Sequence, residues 1–229
     1  MGNLETHDTL CQHLAFDTGQ PVAAVHYRLA PEHKFPAAFD DSYAALTWFL
    51  DSTQPHALRI ETVSVVGDSA GGQLVASVVN QAVAQGLTTI AAQVMLYPVC
   101  SVTEEHMASS SGYQRVVDGF PLVAESMHWF ANKYIDDSVD RADPRLSPLE
   151  AALPAGLPPS FIVTVDNDPL SEDGAQYALH LVRSGADVRF EHLTGYAHGL
   201  FTSAGSIATG AAYVRKIAEF ITDHSAKEA

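Results

Sequence analysis

The stretch Gly67-Asp68-Ser69-Ala70-Gly71 frames a serine between glycines at the spacing G-x-S-x-G. In that pattern the serine sits on a sharp strand-to-helix turn with its hydroxyl clear of the backbone, and small neighbours let a substrate approach. A serine hydroxyl is a poor nucleophile by itself. It needs a base to take its proton and a carboxylate to orient that base. On this pattern the partners come later in the chain, acid before histidine, each after a later strand. Both positions are filled. The apolar run at 161–165 is followed by Asp166-Asn167-Asp168-Pro169-Leu170. The alternating run at 187–193 is followed by Thr194-Gly195-Tyr196-Ala197-His198-Gly199, a loop with glycines on both sides of the histidine that leave its ring free to approach the serine. His198 stands out among the 11 histidines by that position; His192 lies within the strand and His180 within a helical stretch. For the acid, Asp166, Asp168 and Asp173 compete, and the pattern alone divides Asp166 and Asp168 evenly. Either is equally readable as a turn-forming aspartate.

Such residues need a scaffold that brings three strand ends to one edge. Residues 62–66 are a short β-branched run leading into the serine. Beyond it Leu74, Val75, Val78, Val79, Ala82 and Val83 recur at helical spacing, and Gly86 stands where a C-terminal cap belongs. Upstream, residues 5–16 predict a helix with Leu10, Leu14 and Cys11 inward, and 21–27 a strand. Pro36 opens a helix carrying Phe39, Tyr43, Leu46 and Leu50, which residues 51–55 end. A strand at 90–97 stops at Pro98. Further helices are predicted at 171–184, ended by Gly185, and at 207–224, with Val214, Ile217 and Ile221 on the core side. This alternation implies parallel strands joined by helical crossovers, an α/β sheet covered on both faces. Residues 101–145 depart from it: a loop at 109–112, then a helix at 122–135 with Met127, Trp129, Phe130 and Tyr134. They form either a lid over the site or a long surface connection.

Composition narrows the partners. The 229 residues are 47% hydrophobic and suit one large domain or at most two small ones. A net charge of −15, from 27 acidic against 12 basic residues, argues against nucleic acid or an anionic membrane. The cysteines, Cys11 and Cys100, form no framework, which fits a reduced, cytoplasmic protein. No apolar run reaches membrane-span length. Met1-Gly2-Asn3-Leu4-Glu5-Thr6 is polar and acidic, unlike a secretory signal. It matches the myristoylation pattern but lacks the basic patch that stable anchoring needs as a second signal.

Gly67-Asp68-Ser69-Ala70-Gly71-Gly72, Tyr27-Arg28-Leu29-Ala30-Pro31-Glu32-His33 with Phe35-Pro36-Ala37-Ala38, Asp168-Pro169-Leu170 and His198-Gly199 together resemble the hormone-sensitive lipase family of carboxylesterases, the bacterial family IV esterases. The resemblance covers essentially the whole chain. It implies an α/β-hydrolase fold over residues 1–229, a mostly parallel sheet with helices on both faces, and 101–145 as a partial cap. It implies Ser69 as nucleophile, Asp168 as acid and His198 as base, which breaks the tie between Asp166 and Asp168. The family's D-P-L-R-D-E reads here as Asp168-Pro169-Leu170-Ser171-Glu172-Asp173, with serine for arginine. The family's H-G-G-G segment, whose amides form most of the oxyanion hole, has no counterpart here, so the resemblance implies an N-terminally truncated member with Ala70 N–H as the remaining donor. An exposed sheet edge would then favour self-association. The implied activity is hydrolysis of short-chain acyl esters without metal or organic cofactor; the alternative is a silent binding protein on the same scaffold.

Overall fold

A computed structural model describes residues 2–51, 60–203 and 206–225. The helix α1 (Leu4–Thr18) starts at a capping box, in which Asn3 Oδ1 accepts from Thr6 N at 2.9 Å and Thr6 Oγ1 accepts from Asn3 N at 2.9 Å. Gly19 closes it at φ 66°. After α2 (Ala37–Leu50) come β1 (Val63–Asp68), α3 (Ala70–Ala84) and β2 (Ile90–Leu96). An excursion with α4 (Glu104–Ser109), α5 (Ser111–Arg115) and α6 (Ala124–Tyr134) precedes β3 (Ser160–Asn167), α7 (Ser171–Arg183), β4 (Val188–Ala197) and α8 (Ala208–Ser225).

The strands pair in parallel in the order β1-β2-β3-β4. On one face α1 and α8 bury Leu10, Leu14, Val214, Ile217 and Ile221 against Val94, Leu96, Phe161 and Val163. On the other, α2, α3 and α7 bury Phe39, Leu74, Val78, Tyr177 and Leu181 against Met95 and Ile162. Between these layers most of β2 and β3 is shielded on both sides, which is why both read as continuous apolar runs. β4, which among the described residues pairs with β3 alone, buries only Leu193 and exposes five of its ten residues. A third cluster joins Phe35, Val99, Met107, Tyr113, Leu122 and Met127 to Leu170.

As the elbow pattern implies, helix α3 starts at Ala70, immediately after the serine. Three features depart from the sequence expectation by more than two residues. Residues 21–27 form no strand. A strand exists only where a neighbour completes its hydrogen-bond ladder. Here residues 21–27 line the same cleft of about 650 Å³ as β1, without pairing to it, and Val22 and Val25 stay exposed. Residues 109–112 are no loop: Ser110 alone separates α4 from α5. Strand β4 runs to Ala197, past the predicted loop start at Thr194. Asp166 makes that possible, accepting from Gly195 N at 2.9 Å and Tyr196 N at 3.1 Å where the β3–β4 register shifts. Part of the predicted helix stop at 51–55 lies outside the described residues.

Candidate active site

Ser69 occupies the one-residue gap between β1 and α3 at φ 55°, ψ −117°, a conformation that side-chain-bearing residues rarely adopt. Its surroundings hold it there. Ser69 N donates to Leu96 O at 2.8 Å, and Ser69 O accepts from Gln73 N at 3.2 Å and Val99 N at 3.3 Å. Gly67 is required by close approach: a Cβ there would collide with the Gly71 carbonyl and meet Val75 Cγ2 at 2.9 Å.

The ends of β3 and β4 deliver the other two groups. His198 Nε2 lies 2.9 Å from Ser69 Oγ, and His198 Nδ1 lies 2.6 Å from Asp168 Oδ2. A carboxylate only accepts, so Nδ1 carries the ring proton and Nε2 is left to accept the serine O–H. Asp168 is fully buried and its second oxygen accepts from Leu170 N at 2.9 Å. Both oxygens are therefore occupied, and the carboxylate has one orientation. The imidazole also packs on Tyr97, with ring centroids 4.4 Å apart. Burial pushes the Tyr97 phenol well above its ordinary pKa, and the charge of Asp68 adds to this. The phenol is thus a neutral wall at neutral pH. His198, expected in a flexible loop, is instead held on three sides.

The competing aspartates have other partners. Asp166 accepts the Gly195 and Tyr196 amides; burial opposes its ionisation, but these bonds outweigh that and keep its carboxyl below the ordinary range. Asp173 lies on α7, wholly buried, 2.8 Å from His106 Nε2. His192 meets Thr164 Oγ1 at 2.8 Å and His180 meets Ala151 O at 2.8 Å. Ala70, the first residue of α3, is exposed beside the serine at a helix N-terminus, where backbone amides lack intrahelical acceptors.

Sequence reading missed two contacts. His7 on α1 pairs with Asp68 at 3.1 Å, bracing the elbow from the opposite side. His106 pairs with Asp173 across 67 residues of chain. Neither pair has a spacing signal. Among the described residues no group of three or more His, Cys, Asp or Glu could hold a metal ion, and no helix is long and apolar enough to cross a membrane.

Elbow, parallel strands joined by helices and covered sheet define a class, the α/β hydrolases. A family model described as the α/β hydrolase fold matches residues 1–202. The chain is 38% identical over 208 residues to an ethyl acetate hydrolase of Pseudomonas putida, a match covering 90% of this chain and 64% of the relative. It is 38% identical over 219 residues to the carboxylic ester hydrolase LipN of Mycobacterium tuberculosis, covering 92% of this chain and 57% of the relative. The structure of EstE1, a thermophilic carboxylesterase cloned from a metagenomic library, superposes with TM-score 0.92 at 33% identity, over 99% of this chain and 76% of that one. An esterase of Pyrobaculum calidifontis gives TM-score 0.86 at 35% identity, over 97% and 72%. The chain belongs to the α/β-hydrolase fold family, in its hormone-sensitive lipase branch. It spans 64% and 57% of the length of the two curated relatives.

Proposed function

We propose that this chain is a serine carboxylesterase hydrolysing short-chain acyl esters. The observation that carries the reading is the continuous relay from Ser69 Oγ through His198 (2.9 Å) to Asp168 (2.6 Å). Ser69 Oγ attacks the ester carbonyl carbon while His198 Nε2 takes its proton. The tetrahedral oxyanion is held by Ala70 N–H. On collapse the bond to the alkoxy oxygen breaks, and His198 returns the proton to the leaving alcohol. Water then repeats the sequence on the acyl-enzyme: it attacks, His198 takes its proton, and Ser69 leaves with that proton restored. Asp168 fixes the His198 tautomer and stabilises the imidazolium formed in each half. A full Ser-His-Asp set favours this over a silent binding scaffold.

In the same reading residues 1–229 act as one α/β-hydrolase domain, supported by the family match over 1–202. Residues 101–145 act as a partial cap, supported by their own small core around Met107, Tyr113 and Leu122. The free thiols of Cys11 and Cys100 support a reducing, cytoplasmic setting. The outer edges of β1 and β4, which have no strand neighbour among the described residues, support self-association. The test is hydrolysis of p-nitrophenyl acetate and butyrate by the chain beside Ser69→Ala. Loss of activity in the variant is expected; equal rates would sink the reading.

A further inference from the structure

The excursion between β2 and β3 has an unusual target. Five of its residues contact residues 169–173, immediately after Asp168. Gly112 of α5 meets the Pro169 carbonyl so closely that a Cβ would collide with it. Arg115 Nη2 donates to Ser171 Oγ at 3.1 Å. Ser110 Oγ donates to Glu172 Oε2 at 3.2 Å, and Ser111 donates to the same oxygen through both N–H and O–H. His106 Nε2 meets Asp173 Oδ1 at 2.8 Å, with Asp173 fully buried.

The last contact reaches further. The other oxygen of Asp173 accepts from Cys100 N at 2.9 Å and Ser101 N at 3.4 Å. That backbone follows Val99, whose N–H donates to Ser69 O at 3.3 Å. One buried carboxylate thus ties together the helix turn that follows Asp168, the loop that braces Ser69, and the first helix of the excursion. A buried carboxylate stays only if its oxygens are satisfied and its charge is matched. Three donors satisfy it, and His106 is the one that can match the charge.

We propose that Asp173 and His106 are a positioning pair for the triad: α4 and α5 clamp residues 169–173, and through Leu170 N this sets the direction in which Asp168 faces His198. The inference rests on the esterase reading for its kinetic readout alone. Neither residue touches substrate. Burial pulls the His106 imidazole down, but the hydrogen bond and charge of Asp173, with the charges of Glu172 and Glu150, outweigh it and leave its pKa raised. Cys100 and Tyr113, the other titratable groups facing the pair, are pushed well up by burial and stay neutral.

The variants are His106→Gln, which keeps a donor and removes the charge, and Asp173→Asn, which disrupts the acceptor set. The readout is the Nδ1–H proton resonance of His198, followed by NMR of ring-labelled histidine, beside steady-state hydrolysis of p-nitrophenyl butyrate. That proton reports the 2.6 Å bond to Asp168 Oδ2. A misaligned Asp168 accepts it less directly, so the resonance moves upfield. kcat falls by up to about 100-fold, the cost of about 1 Å of misplacement, with KM changed far less. Folded variants whose His198 Nδ1–H resonance matches the wild type would overturn the proposal. If both variants fail to fold, Glu172→Gln, which loosens the same clamp at a less buried site, shows the same upfield displacement, and an unmoved His198 resonance there overturns it equally. An inert wild type with a displaced His198 resonance in the variants would sink the esterase reading and keep the clamp.

Discussion

Asp168→Asn isolates what the buried carboxylate contributes. Its two oxygens have separate duties: Oδ1 accepts from Leu170 N at 2.9 Å and Oδ2 accepts from His198 Nδ1 at 2.6 Å. An asparagine has one acceptor oxygen for these two donors. If that oxygen stays on Leu170 N, where the helix turn fixes it, the amide NH2 faces His198 Nδ1. The ring must then put its proton on Nε2, the atom that has to accept from Ser69 at 2.9 Å. The base is lost with hardly any change in shape. The equivalent change in a serine protease lowers kcat about 10⁴-fold, which corresponds to about 5.4 kcal/mol of transition-state stabilisation. Steady-state hydrolysis of p-nitrophenyl butyrate at neutral pH is expected to fall by about that factor, with KM little changed, while circular dichroism shows a folded chain. Asp166→Asn, whose partners include the Gly195 and Tyr196 amides and not His198, is the paired control and retains most of the activity. Asp168→Asn retaining activity within about tenfold of wild type would refute the assignment of tautomer control to this residue.

Ser69→Gly is expected to abolish activity and raise the melting temperature. The serine sits at φ 55°, ψ −117°, where strain of about 1–3 kcal/mol exceeds the flexibility cost of glycine; calorimetry showing a lower melting temperature would count against stored strain. Gly67→Ala forces a Cβ onto the Gly71 carbonyl and Val75, and overpacking of this kind costs about 1–3 kcal/mol, read as a lower denaturant midpoint together with reduced kcat. His7→Asn tests the elbow brace by its pH dependence. The bond to Asp68 raises the His7 pKa against the opposing effect of burial, so the brace is complete below pH 6.5 and is lost as pH rises through the raised folded value. The variant should melt below wild type at pH 5.5 and match it at pH 9; an equal deficit at both would refute the ionic account.

The parts of this site that were legible in the sequence are those whose chemistry is local or recurs at strand ends. The elbow could be read because five consecutive residues carry its whole steric requirement, down to the glycine that must pass the Gly71 carbonyl. His198 could be read because it follows a strand. Asp166 and Asp168 could not be separated by spacing, since both follow β3 and both are turn formers. Their difference lies in partners about thirty residues away: two amides of β4 for one and an imidazole for the other. The 21–27 run failed as a strand for a related reason. Its β-branched and apolar residues are a preference, and the preference is realised only when a neighbouring strand offers its edge.

The same distinction separates how nucleophile and acid are held. Ser69 is fixed largely by its own short stretch, with strand and helix on either side, and by backbone bonds to Leu96 and Val99. Asp168 follows a strand but precedes a helix turn that has no side-chain cap of its own at Leu170. Its orientation therefore depends on contacts from Gly112, Ser111, Arg115 and His106, all on the excursion after β2. An insertion that reads as a cover for the site is, in α4 and α5, part of the scaffold of the acid. Substitutions at the elbow should thus act through strain or clash and appear in stability. Substitutions in α4 and α5 should appear in the Nδ1–H resonance of His198, which bonds to Asp168, with little change at Ser69 itself.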